Sequence, residues 1–295
     1  MPFDPLHRKS FSGLAFRPEI TQGAILSGLK LPRYEVGSHF GFLITARCDL
    51  AHVRTDTVNF LPIISLDNWL SFDCPISIIL SRLLNLEDEL AGTFNSISPA
   101  IRDMVNQDWI KGYELFVRDD AGVQQALKDK LRSRVEEYAQ LTDILENKSD
   151  SPTEIATAYA EISKFRELID RSKQKKITAL LENKILDAHF LPVLHPSEKL
   201  TNGPGYVVMF RQIISLPGKL LEILKRGVDS EDSVSLPLRA QASQAITFPA
   251  EIISNIKSPY VEFILQRFAH VFGRIGVSDC SEQYKKWLLN THSEG

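Results

Sequence analysis

The chain has 295 residues, with 34 Lys and Arg against 37 Asp and Glu and a formal net charge of −3. Its 43% hydrophobic and 24% charged residues can bury a core, which excludes an intrinsically disordered protein. The near-neutral balance excludes a protein that coats nucleic acid through bulk positive charge and leaves only local basic patches for that purpose.

No stretch reaches the roughly 18 apolar residues needed to span a bilayer, and the N-terminus has no apolar run behind a basic start. The three cysteines, Cys48, Cys74 and Cys280, lie far apart and form no C-x-x-C pair. The expectation is a cytoplasmic protein with reduced thiols and no membrane partner.

Residues 1–72 read as β. Three apolar runs, 22–28, 40–46 and 57–65, are rich in strand formers, and Val58, Phe60 and Pro62 share one alternating face. The polar stretch 47–56 connects the last two. Short strands joined by polar loops predict a small barrel. Residues 73–119 turn helical, with Ile76, Ile79, Leu80, Leu83 and Leu84 at helical spacing, and Ser98 followed by Pro99 reads as a helix start.

Residues 120–190 carry the plainest periodicity. Val123, Leu127, Leu131, Val135, Tyr138, Leu141 and Leu145 line one face, opposite Lys128, Asp129, Arg132, Glu136 and Glu137. Ser151, Pro152 and Glu154 form a capping box, and a second stripe follows at Ile155, Tyr159, Ile162, Phe165 and Ile169. This predicts a long antiparallel helical hairpin whose first arm reaches about 35 Å. It would project from the body and meet a protein partner or a second copy of the chain through Val123, Leu127, Leu131, Tyr159 and Ile162.

Residues 191–295 mix strand-like runs near 203–217, a short helix at 220–224, a helix near Ala250, and an apolar helix beginning at Ser258-Pro259-Tyr260 and ending at Gly273. This part is expected to pack back on the barrel. The predicted fold class is α+β: an N-terminal SH3-like barrel, a central helical hairpin and a mixed C-terminal part.

The strong catalytic motifs are missing. No Walker-type phosphate loop, dinucleotide glycine pattern, H-E-x-x-H or nucleophile elbow occurs, and no cofactor or metal set is predicted. Cys48, Asp49 and His52 are the densest group of reactive side chains. They suit thiol or metal chemistry, or a binding site made by Arg47, Asp49, His52 and Arg54. The simpler reading is a small buried cysteine at a strand end, a turn cap at Asp49 and an exposed loop residue at His52. Glu182 and Lys184 match the E-x-K element of metal-dependent nucleases but sit in a pattern that reads as a solvated helix face. The basic run 171–176 ends a predicted helix, where lysines oppose the dipole, and it could instead touch phosphates. Arg267 and Arg274 flank the aromatic-rich helix of 260–272, a pairing that suits a phosphate or carboxylate as well as a solvated rim.

The three N-terminal runs, 22–26, 42–45 and 58–65, resemble the successive strands of the MazF/PemK-type SH3-like barrel proteins. The segment 45–51 also resembles a run in prokaryotic proteins that attach such barrels to helical regions and are associated with phage defence and other conflict systems. The resemblance covers about a fifth of the chain. It implies a component of a multi-protein system that binds a protein partner or nucleic acid, or alternatively a metal-independent ribonuclease toxin. The toxins use an arginine before the second strand and a hydroxyl residue after the third. Ser65 matches the hydroxyl position, while Arg47 follows its strand and Ala24 replaces the usual aspartate. A nuclease would then use Arg47, Ser65 and His39, the arginine stabilising charge on the phosphorane and the others moving a proton.

Overall fold

Three strands from the N-terminal part pair in sequence order, β1 (Ala24–Ser27), β2 (Phe40–Leu43) and β3 (Thr57–Ser65). All are antiparallel, with Ile25 opposite Phe42 and Phe42 opposite Leu61. The computed structural model describes residues 20–31, 34, 39–51, 56–105, 108–147, 154–155, 157–158, 163–194 and 205–273. The expectations placed on His52, Arg54, Ser151, Tyr159, Ile162, Arg274 and Cys280 fall outside these residues.

The predicted polar connection between β2 and β3 contains a short helix, α1 (Arg47–Ala51). After β3 the chain enters one helix of 32 residues, α2, made of Leu66–Asn68, a π turn at Trp69–Asp73 and Cys74–Ile97. The π turn falls just before Pro75. In a regular helix that ring would meet the carbonyl one turn back, so the wider turn relieves the clash.

Helices α3 (Pro99–Val105), α4 (Trp109–Phe116), α5 (Gln125–Asn147) and α6 (Ser163–Leu181) follow. Strand β4 (Ala188–Leu191), β5 (Tyr206–Met209) and β6 (Ile214–Pro217) come next, then α7 (Gly218–Leu224) and α8 (Leu236–Ala245). Strand β7 (Ile252–Asn255) and helix α9 (Tyr260–Gly273) complete the order.

The sheet is not the expected barrel. Its strands run β4-β5-β3-β2-β1-β7, with β6 beside β3, and it stays open because β4 and β7 end it without pairing together. Two features explain this. The nine-residue β3 accepts two partners on one edge, β6 along its first half and β5 along its second, which extends the sheet instead of curling it shut. In addition, both faces are covered by helices, so closure is not needed to bury either. Residues after 187 do not pack onto a finished N-terminal barrel; they supply β4 to β7 of the same sheet.

The β3 alternation holds on both faces. Val58, Phe60 and Ile64 join Ala24, Leu26 and Leu43 under Trp69, Ile78, Ile79 and Leu86 of α2 and Leu220 and Leu224 of α7. Leu61 and Ile63 join Ile25, Phe42 and Val208 under Val261 and Ile264 of α9. A third core lies at the far end of α2. There Leu90 and Phe94 pack with Val105, Trp109, Tyr113, Leu131 and Val135 from α3, α4 and α5, and the Phe94 and Trp109 rings stack 5.8 Å apart.

Both long helices of the predicted hairpin form, and each is seated on α2. Arg82 donates to Glu137 at 2.8 and 3.1 Å, Arg134 pairs with Glu89 at 2.9 Å, and Lys176 of α6 donates to Ser77 at 2.8 Å.

The helix predicted near Ala250 is replaced by β7. Ile252 and Ile253 are β-branched, and pairing with β1, more than 220 positions earlier, decides a short apolar run that local pattern leaves ambiguous. Gly28 (φ +77°) closes the link between β1 and this C-terminal stretch. A Cβ there would stand 2.5 Å from the Thr247 carbonyl, and Thr247 N–H donates to Gly28 O at 2.7 Å. No described helix is long and apolar enough to cross a membrane.

Candidate functional site

Ser65 ends β3 and starts α2. Its Oγ accepts the Asn68 amide at 3.1 Å, satisfying one of the N–H groups that a helix start leaves without a partner. The hydroxyl that matches the toxin position is therefore a helix cap here.

His39 lies at the neighbouring end of β2 and is only 8% exposed. Its ring packs 5.8 Å from Tyr34, whose hydroxyl donates to Asp73 at 2.6 Å. The His39 Nε2 is buried and has no hydrogen-bond partner among the described residues, and burial lowers the imidazole pKa below its ordinary value because a charged ring would be poorly solvated there.

Arg47 stands at the other end of β2. The four-residue strand, about 13 Å long, lies between it and His39, since His39 precedes Phe40 and Arg47 follows Leu43. The Phe40–Ile63 pairing puts Ser65 on the His39 side. Arg47 is half-exposed and pairs with Glu262 of α9 at 3.3 Å. The structure brings Ser65 and His39 to one end of the sheet and leaves Arg47 at the other.

The remaining sequence candidates also have places. Cys48 is exposed on α1, with its Sγ 3.6 Å from Asp49 Oδ1. Cys74 is buried in α2, and desolvation pushes its thiol up to about 11, so it stays a protonated, unreactive thiol. Glu182 and Lys184 pair with each other at 2.6 Å on the surface. They sit in a turn after α6, not on a helix, because Asn183 adopts a left-handed conformation (φ +58°). Within the basic run, Arg171 pairs with Glu167 and Lys176 reaches Ser77. Of the proposed partner surface, Leu131 is buried among α2 and α4 residues, and Val123 packs half-buried against the same cluster; Leu127 is half-buried.

Asp49 does line a cavity. The pairing of Thr57 with Pro217 brings Asp56 beside the start of α7, where the Gly218 amide donates to the Asp56 carbonyl at 2.8 Å. Helix α1 faces this junction. The cleft is open to solvent and holds about 380 Å³, with a floor of Leu50, Val58, Pro217 and Leu221 and a rim of Asp49, Asp56, Glu222, Lys219 and Lys225. Such a volume lies at the small end of ligand sites.

Compared with models of protein families, with curated proteins and with solved structures, the chain matches none of them.

Asp49 was the only member of this rim that the sequence singled out. Asp56, Lys219, Glu222 and Lys225 carried no local signal, because what joins them is the β3–β6 pairing of segments some 160 residues apart. Ser65 did carry one: a serine directly before a helix is the common N-cap residue.

Proposed function

We propose that the protein is a non-catalytic component of a prokaryotic multi-protein system, of the kind linked to phage defence, and that a segment of a partner protein seats in the cleft between α1 and α7. The observation that carries this reading is the engagement of the nuclease candidates elsewhere. The Ser65 hydroxyl caps α2, the His39 ring is buried against Tyr34, and Arg47 sits across the sheet in an ion pair with Glu262. A cyclising ribonuclease needs its base and its charge-stabilising cation within hydrogen-bond reach of one phosphate.

The cleft supports the partner half of the reading. An apolar floor under a rim of both signs suits a peptide that places one apolar side chain inside and exchanges hydrogen bonds at the edge. The test is to co-express the chain with the products of its neighbouring genes and measure complex formation by light scattering. A stoichiometric complex that weakens at least tenfold in Asp49→Lys combined with Glu222→Lys supports the reading. A complex unaffected by the double variant moves the contact away from the cleft, and the absence of any complex removes the component reading.

A further inference from the structure

Helix α9 carries a second cleft with different chemistry. It holds about 250 Å³ and is lined by Leu186, Phe263, Gln266, Arg267 and His270. The sequence pattern makes this helix apolar, and its Val261 and Ile264 are buried. Phe263 is not; it remains 43% exposed.

Arg267 is fixed beside that ring. Its Nη1 donates to the Asn183 carbonyl at 2.7 Å, and its Nη2 donates to the carbonyls of Ile185 at 2.7 Å and Ala188 at 3.1 Å. The left-handed turn at Asn183 shapes the loop that supplies two of these carbonyls. The guanidinium carbon lies 6.0 Å from the centres of both Phe263 and Phe210. His189 meets Phe263 edge-on at 5.6 Å and is oriented by a 2.8 Å contact from Nδ1 to Asn183 Oδ1.

Among the described residues, every acceptor that holds Arg267 is a neutral carbonyl, and no carboxylate neutralises it. Three of its five N–H groups are used and Nε is buried, which leaves one Nη1–H uncommitted. A positive charge pinned in a half-buried setting without a counter-ion raises the local potential and favours an anion. The exposed ring next to it offers a flat apolar platform, and the Gln266 amide can both donate and accept at the edge of a stacked ring.

From this combination we infer that the α9 cleft binds a nucleotide, with the base stacked on Phe263, its edge read by Gln266, and its phosphate drawn by Arg267 and His270. An acidic peptide would answer the charge and leave the ring uncovered. Aromatic stacking serves any base, because each has a π-face. Two sources share this chemistry, a free nucleotide and the end of a single strand. The inference goes beyond the partner reading, which concerns the α1–α7 cleft, and either can fail without the other.

The experiment titrates the full chain by calorimetry with AMP, GMP and a 5′-phosphorylated eight-nucleotide single strand, and with inorganic phosphate as the charge-only probe. Phe263→Ala is the main variant because its side chain is partly exposed and lies outside the buried cores; Gln266→Ala is the second. Binding of a mononucleotide or the strand that weakens about tenfold or more in Phe263→Ala, the scale of one lost base stack, supports the inference. A strand that binds no tighter than AMP identifies a free nucleotide, and a strand that binds at least tenfold tighter identifies a single-stranded end. Absence of binding to all nucleotides at millimolar concentration overturns it. So does nucleotide binding that is indifferent to Phe263→Ala, or inorganic phosphate binding as tightly as AMP.

Discussion

The two ends of helix α2 belong to differently made regions. Its first two thirds lie on the sheet, where Trp69, Ile78, Ile79 and Leu86 share a core with strands from both termini. Its last turns carry Leu90 and Phe94 into a helical lobe whose partners from other helices come from residues 101–138. The sheet core is closed by pairings such as β1 with β7, so it requires the whole chain. The lobe is closed by neighbours in sequence and joins the body through α2, through the end of α5, whose Leu141 and Ile144 enter the sheet core, and through the ion pairs between the two helices. A region built from local contacts can open without the rest, whereas a region closed by long-range pairing opens as one unit.

The largest expected effects test that contrast. Phe60→Ala empties a fully buried site under α2 and should cost about 3–5 kcal/mol. Amide hydrogen exchange should then speed up in the sheet and the lobe together. Phe94→Ala removes a similar volume from the lobe and carries a similar local cost, yet exchange in β2 and β3 should stay near wild type. If Phe94→Ala also deprotects β3, the two regions are one cooperative unit and the contrast is lost.

A smaller effect is expected at the seam. Arg82 bridges Glu137 of α5 and Glu89 of α2, and Arg134 reaches Glu89 and Thr93 from the other side. The glutamates hold the Arg82 guanidinium more firmly protonated than usual, mainly through its hydrogen bonds to Glu137. Because the Arg82–Glu137 pair is mostly shielded and doubly bonded, Arg82→Ala should cost about 1.5–3 kcal/mol, more than an open surface pair would. Urea unfolding should show a separate lobe transition in that variant. A change below about 0.5 kcal/mol would mean the network contributes no more than exposed ion pairs do.

The same contrast explains what could be read from the sequence. The three N-terminal strands, the long amphipathic helices, the Ser98-Pro99 junction and the α9 start are written in local patterns, so each was legible. The open sheet was not, because alternation along β3 states that two faces are buried without stating which strands sit at its edges. β7 was mistaken for helix since only its pairing with β1 distinguishes the two. The site followed the same rule. Asp49 stood out beside Cys48 and His52, but the rim that it joins is assembled by β3 meeting β6. In sequence, Arg267 only flanks an aromatic-rich helix. Its three carbonyl partners and the exposure of Phe263 appear only once the α6–β4 turn is in place.

The smallest stability effect carries the most direct test of the central claim, that the toxin-like positions are structural. Ser65→Ala removes the cap of α2 and should cost about 1 kcal/mol. Wild-type and Ser65→Ala proteins, matched for folded concentration, should be incubated with mixed-sequence RNA, with and without the co-expressed partner. The expected result is no cleavage by either protein and a lower urea midpoint for the variant. Cleavage by the wild type that disappears in a fully folded Ser65→Ala protein would contradict the account and make Ser65 a reacting group.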